Sequence, residues 1–370
     1  MHLPSFTCVC SLAAGLVVAD LSGAAAQASN RDPAAARLVM SDIANFWRAI
    51  DRAANRDQPA LTAALRSEYI AKASPGLEAF IELRLIDRDG VAQALAAIGW
   101  DDDRVRRGRA APRGSKERAA FDSVVTPLLQ QNAAQRLARM YLARRGYFDA
   151  IRSNTLALDT ARAVRDSIRA AFHRMKALYP ETTFPDVYFL MGRLSSGGTV
   201  AGSRLLIGTE LYARDAATPI GELSEWERAV TGRTEDLPHI VAHELAHTLQ
   251  ASRSGPMTLL ASALNEGSAD FIAELISGQH AINPAYEYGD AHEAELWTEF
   301  RARMDKPNLR GWLYNAGAAD DRPADLGYWI GYTITKAYYD RATDKNAAVR
   351  EILRFTDPNA FLAASGYGKQ

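Results

Sequence analysis

Leu237-Pro238-His239-Ile240-Val241-Ala242-His243-Glu244-Leu245-Ala246-His247-Thr248-Leu249-Gln250 reads as one helix, since no glycine or proline interrupts Ile240 to Gln250 and Asp236 stands ready to cap it. Leu237 and Pro238 suit its first turn. Helical positions four apart share a face about 6 Å apart along the axis, so His243 and His247 can aim two imidazoles at one point. A zinc ion there needs ligands at ~2.0–2.1 Å. Glu244 lies beside that point without sharing the ligand face, which suits a base acting on metal-bound water. The six other positions from 240 to 248 carry no charge, as expected beneath an active-site cleft. His239 sits beside Pro238 at the helix mouth, where a supporting or solvent-facing role is expected.

The rest of the chain narrows the class. Of 370 residues 48% are hydrophobic and 24% charged, with a net charge of -1, which excludes a disordered or fibrous chain and removes the simplest argument for nucleic-acid binding. No apolar window is long enough to span a membrane. Phe6 to Val18 followed by Ala26-Gln27-Ala28 reads as an export signal, so residues 1–28 are expected to be cleaved and the protein to be periplasmic or secreted. Both cysteines, Cys8 and Cys10, would leave with it, which rules out disulfides, thiolate ligands and a cysteine nucleophile in the mature chain.

Residues 29–180 form a helical N-terminal region, with Val164, Ile168, Phe172, Met175 and Tyr179 at helical spacing behind a cap at Asp159. Thr126-Pro127 divides 116–145 into two expected helices, and the charged, Gly- and Pro-interrupted segment from Asp101 to Arg118 is expected to be a solvated loop. Asp186–Leu190 and Leu205–Gly208 are short strand patterns joined by turn-forming Leu194 to Gly198, predicting a small antiparallel sheet. That glycine cluster lacks the ending of a phosphate loop. From Leu237 the pattern is again helical, and 181–370 reads as the second domain.

Two histidines leave a zinc site one ligand short. Nineteen residues past His247 stands Glu266, in Asn265-Glu266-Gly267-Ser268-Ala269-Asp270. This string resembles the gluzincins, the thermolysin-like zinc peptidases. The resemblance implies Glu266 as third ligand and Asp270 as the acceptor for the far nitrogen of His243. Asp270 as the acidic ligand instead, in the aspartate-type manner, stays open. A metzincin would place His at 253 and Gly at 250, where the chain has Arg253 and Gln250, while His280 and His292 stand alone.

Phe189 to Arg193, Ser196 to Thr199, Leu205 to Glu210 and Gly327-Tyr328-Trp329-Ile330-Gly331-Tyr332 are similar to predicted exported zinc-dependent proteases related to the gliding-motility lipoprotein B group, over Phe184 to Tyr367. The chain lacks the anchoring cysteine of the lipoprotein members. A donor for a developing oxyanion is sought in Tyr328 and Tyr332, four apart on one face, at most one of which is expected to reach the site; Arg193, Arg204 and His292 are alternatives.

The expected protein is therefore α+β and predominantly helical, with a zincin-like domain and a small antiparallel sheet. Zn²⁺ would be held by His243, His247 and Glu266, with Glu244 as general base acting on a peptide or protein substrate laid along an edge near Arg204 to Gly208. The rival is a non-catalytic metal-containing binding or assembly protein of the cell envelope.

Overall fold

The computed structural model describes residues 30–53, 56–251, 257–315 and 322–368. The export signal read in 1–28 lies outside the described residues. Among the described residues the N-terminal half is built from eight α-helices: α1 (Ser41–Arg52), α2 (Gln58–Ala64), α3 (Pro75–Phe80), α4 (Arg88–Ala97), α5 (Asp102–Ala110), α6 (Lys116–Ala143), α7 (Arg145–Ala157) and α8 (Arg162–Leu178). α2 and α3 run on into π-helical turns at Leu65–Ile70 and Ile81–Leu85. Val164, Ile168, Phe172 and Met175 are the buried stripe of α8, which starts after Ala161 rather than Asp159.

Two local expectations fail. Pro127 does not divide 116–145, because α6 runs unbroken through it. A proline inside a helix loses one hydrogen bond and crowds the preceding turn, but Phe121 and Val125 before it are buried in one apolar cluster and Ala133, Leu137 and Tyr141 after it in the main core, and packing on both sides of the proline holds the axis. The 101–118 segment contains a helix, not a continuous loop. Asp101 accepts from the Arg104 amide at 2.7 Å, Asp102 and Asp103 occupy the first turn of α5, and Arg107 and Arg109 the last. Charge ordered along the helix dipole stabilises a helix that buries almost nothing.

Among the described residues the sheet has four strands, β1 (Leu38–Val39), β2 (Asp186–Leu190), β3 (Gly198–Val200) and β4 (Arg204–Gly208), in the order β1-β2-β4-β3. β1–β2 and β2–β4 are parallel and only β3–β4 is antiparallel, so the sheet is mixed, not antiparallel as the turn residues suggested. All of β2 and all but the first residue of β4 are buried, the apolar run of strands covered on both faces. The expected edge at 204–208 is thus interior. The edge beside the second half of the chain is β3.

After the sheet come α9 (Glu225–Val230), α10 (Leu237–Leu249), α11 (Leu259–Ser277), α12 (Pro284–Ala291), α13 (Glu293–Arg301), α14 (Leu326–Arg341), α15 (Lys345–Arg354) and α16 (Pro358–Ser365). The protein is α+β and mostly helical. One apolar core runs from Ala36 to Leu362, and a separate cluster of Val91, Leu95, Trp100, Phe121 and Val125 sits under α4 to α6. α11 and α14 cross with backbones almost touching: a Cβ on Gly331 would collide with the Ala263 carbonyl, and one on Gly267 with the backbone of Gly331 and Tyr332. No helix among the described residues is long and apolar enough to cross a membrane.

Candidate metal centre

α10 begins where a 3-10 turn ends. Asp236 spends its carboxylate on the Arg233 amide at 2.6 Å within that turn instead of capping α10, and Pro238 occupies the first turn. Leu237, Val241, Ala242, Leu245 and Ala246 are buried, and the alanines let α11 approach closely. α11 is capped by Thr258, whose hydroxyl accepts from the Ala261 amide at 3.1 Å, and ends at Gly278 in the left-handed conformation.

This crossing brings together His243, His247 and Glu266. The two Nε2 atoms lie 2.9 Å apart, and Glu266 Oε2 lies 3.3 Å from His247 Nε2 and 3.6 Å from His243 Nε2. A tetrahedral ion with ligands at ~2.0–2.1 Å has ligand-to-ligand edges of about 3.3 Å, so the triangle has the size zinc requires.

The neighbours determine what those atoms can do. Asp270 Oδ1 accepts from His243 Nδ1 at 2.6 Å, and Gln250 Oε1 from His247 Nδ1 at 2.8 Å. Gln250 is oriented by donating its amide to the Asn265 carbonyl (2.7 Å) and Ser268 Oγ (3.0 Å) on α11. With both protons on Nδ1, two imidazole lone pairs and a carboxylate oxygen converge with no hydrogen between them. Only a cation or extra protons relieve that crowding. Burial opposes charge on His243 and His247, yet the carboxylates of Asp270 and Glu266 outweigh it and raise both rings, while the histidines hold Glu266 well below the usual range against its own burial. The pocket is built for positive charge, and the residues fit zinc.

The remaining residues sort by position. Tyr314 donates to Glu266 Oε1 at 2.6 Å, so each of the three residues has a bonded partner. Asp270 also accepts from Tyr286 at 2.6 Å. His239 is buried, bonded through Nδ1 to the Gln279 carbonyl at 2.8 Å, with Nε2 3.6 Å from Asp270. Tyr328 lies nearly parallel to the His243 ring, centroids 6.3 Å apart. The Tyr332 hydroxyl instead donates to Glu274 at 2.8 Å, two helical turns beyond Glu266 on α11. Glu274 also pairs with His280, and His292 is bonded to the Tyr288 carbonyl. Glu244 is buried, which raises its carboxyl, and it packs against β3, where a Cβ on Gly198 would fall on its carboxylate.

Residues 228–359 match a family model described as "Predicted Zn-dependent protease (DUF2268)". The matched segment holds α10, α11 and α14, hence all three convergent residues and Glu244. No curated protein and no solved structure matches the chain. The zinc-protease similarity therefore covers the site, and the site's geometry is independent support for the metal.

Sequence reasoning missed Gln250, Tyr286 and Tyr314. In the sequence Gln250 marks only the absence of a metzincin glycine. Tyr286 and Tyr314 follow turns at Asn283-Pro284 and Gly311, and no spacing connects either to the histidine pair.

Proposed function

We propose that the chain is a zinc-dependent peptidase of the gluzincin type, exported after cleavage near Ala28. The observation that carries the reading is the convergence of two tautomer-fixed imidazoles and a carboxylate with a buried glutamate one residue from the first histidine. His243, His247 and Glu266 would hold zinc, which when bound supplies a Lewis acid at a carbonyl and renders water acidic.

Asp270 and Gln250 keep both rings aimed inward by accepting their Nδ1 protons. Glu244, raised by burial, takes a proton from the attacking water and returns one to the leaving amine. Tyr328, beside His243, is favoured over Tyr332 as the donor to the developing oxyanion. The substrate lies along β3. Gly197 accepts from Gly208 and Ala201 donates to Arg204, so strand alternation turns the main-chain groups of Gly198 and Val200 away from β4, toward a peptide.

Glu244→Gln tests this reading, because an amide keeps size and hydrogen bonding but accepts no proton. Wild type and variant are expected to carry one zinc per chain by elemental analysis, and only wild type to cleave a broad peptide library, with the variant reduced at least ~100-fold. A wild type that binds zinc and cleaves nothing favours the non-catalytic binding protein.

A further inference from the structure

β3 stands between two charged groups from opposite halves of the chain. Behind Gly198 is the carboxylate of Glu244, from α10. One residue on, Thr199 Oγ1 accepts from Arg84 Nη2 at 3.1 Å. Arg84 comes from the π-helical turn at Ile81–Leu85, a conformation that is rare and concentrates at functional positions. Its Nε is buried with no hydrogen-bond partner, and among the described residues its side-chain hydrogen bond goes to a neutral hydroxyl. A half-buried guanidinium whose side-chain bond goes only to a hydroxyl is stabilised by an arriving carboxylate, whose oxygens match its donors.

One further fact sets this charge in a cationic surrounding. Beyond the end of β2, Arg193 is lowered to about 10 by burial and by the guanidiniums of Arg136 and Arg139, so that flank adds positive potential.

We propose that Arg84 binds a carboxylate of the peptide lying along β3, making the N-terminal half a contributor to substrate specificity. This rests on the peptidase reading for the identity of the ligand as a peptide. The carboxylate is supplied either by an Asp or Glu side chain or by the peptide's own C-terminus.

The test uses the full zinc-loaded protein and matched peptides: acidic residue against its amide, and free against amidated C-terminus. Wild type should prefer the carboxylate member of one pair by ~10-fold or more in kcat/KM, mostly through KM. Arg84→Gln should bring that ratio close to one, and Arg84→Lys should restore part of it. A merely structural Arg84 would lower both members together, and that result overturns the proposal. Whichever pair responds identifies the source of the carboxylate.

Binding of the same labelled peptides to Glu244→Gln, by fluorescence anisotropy, separates the two readings. Arg84-dependent preference without wild-type turnover sustains this proposal and sinks the peptidase. Turnover without preference sinks this proposal alone, and absence of both binding and turnover sinks both.

Discussion

α11 and α14 meet backbone to backbone, whereas α4 and α5 lean on α6 through a thin layer of side chains. In the first region Gly267 and Gly331 leave the facing backbones in contact, so the position of Glu266 is tied to that of α14. In the second, Val91, Leu95, Trp100, Phe121 and Val125 form a cluster detached from the main core, next to exposed Ile98. Tight crossings transmit displacement and thin layers absorb it. Geometry at the metal centre should therefore answer to α14 and be indifferent to the corner under α5.

Gly331→Val is the severest challenge to this contrast. Its branched side chain must displace the Ala263 carbonyl on the helix that carries Glu266. A loss of more than ~3 kcal/mol is expected, since backbone cannot yield as a side chain does. Thermal melting and zinc content should fall together; a variant that melts normally and keeps its zinc would remove the asymmetry between the regions.

Next in size is Asp270→Asn, which leaves α11 packed but weakens the hold on His243. Zinc affinity should drop ~10–100-fold, with Glu266→Gln worse because it removes a charge from the ligand set. Chelator competition at neutral pH ranks them, and the reverse order would assign the metal to Asp270.

Trp100→Ala should have the smallest effect on the centre. It costs about 3 kcal/mol locally, visible as faster amide exchange in α4 and α5, while zinc affinity stays within ~2-fold. A large loss of zinc would mean that the corner is coupled to the site.

What was legible in the sequence follows the distance over which each residue acts. His243, Glu244 and His247 occupy consecutive turns of one helix, and helical geometry alone orients them. Glu266 and Asp270 came within reach because they too are four apart on one helix and lie in a string that resembles a known family. Tyr314 reaches Glu266 across 48 positions and Arg84 reaches Thr199 across 115, through packing that no local pattern encodes. The misreadings share a cause as well. Pro127 and the charges of 101–118 were judged by local propensity, which tertiary burial overrode in α6 and ordered end charges overrode in α5. β2 and β4 were legible as strands, but β1, β3 and the strand order were not, because the parallel partner of β2 lies beyond the β3 hairpin strand and its other neighbour far upstream.

That upstream neighbour constrains how the chain is made. β1 pairs Leu38 with Val187, and the Arg37 amide donates to Asp186 at 2.8 Å across 149 positions. A ribosome that has released only the first 180 residues has made β1 without its partner strand, and neither half can complete the sheet alone. Closing so long a loop makes sheet formation late and slow relative to the local helices. Until Asp186 to Leu190 emerges, the nascent helical half carries an unpaired strand end and part of an open core, the state in which a chain is most exposed to aggregation and most dependent on whatever shields it.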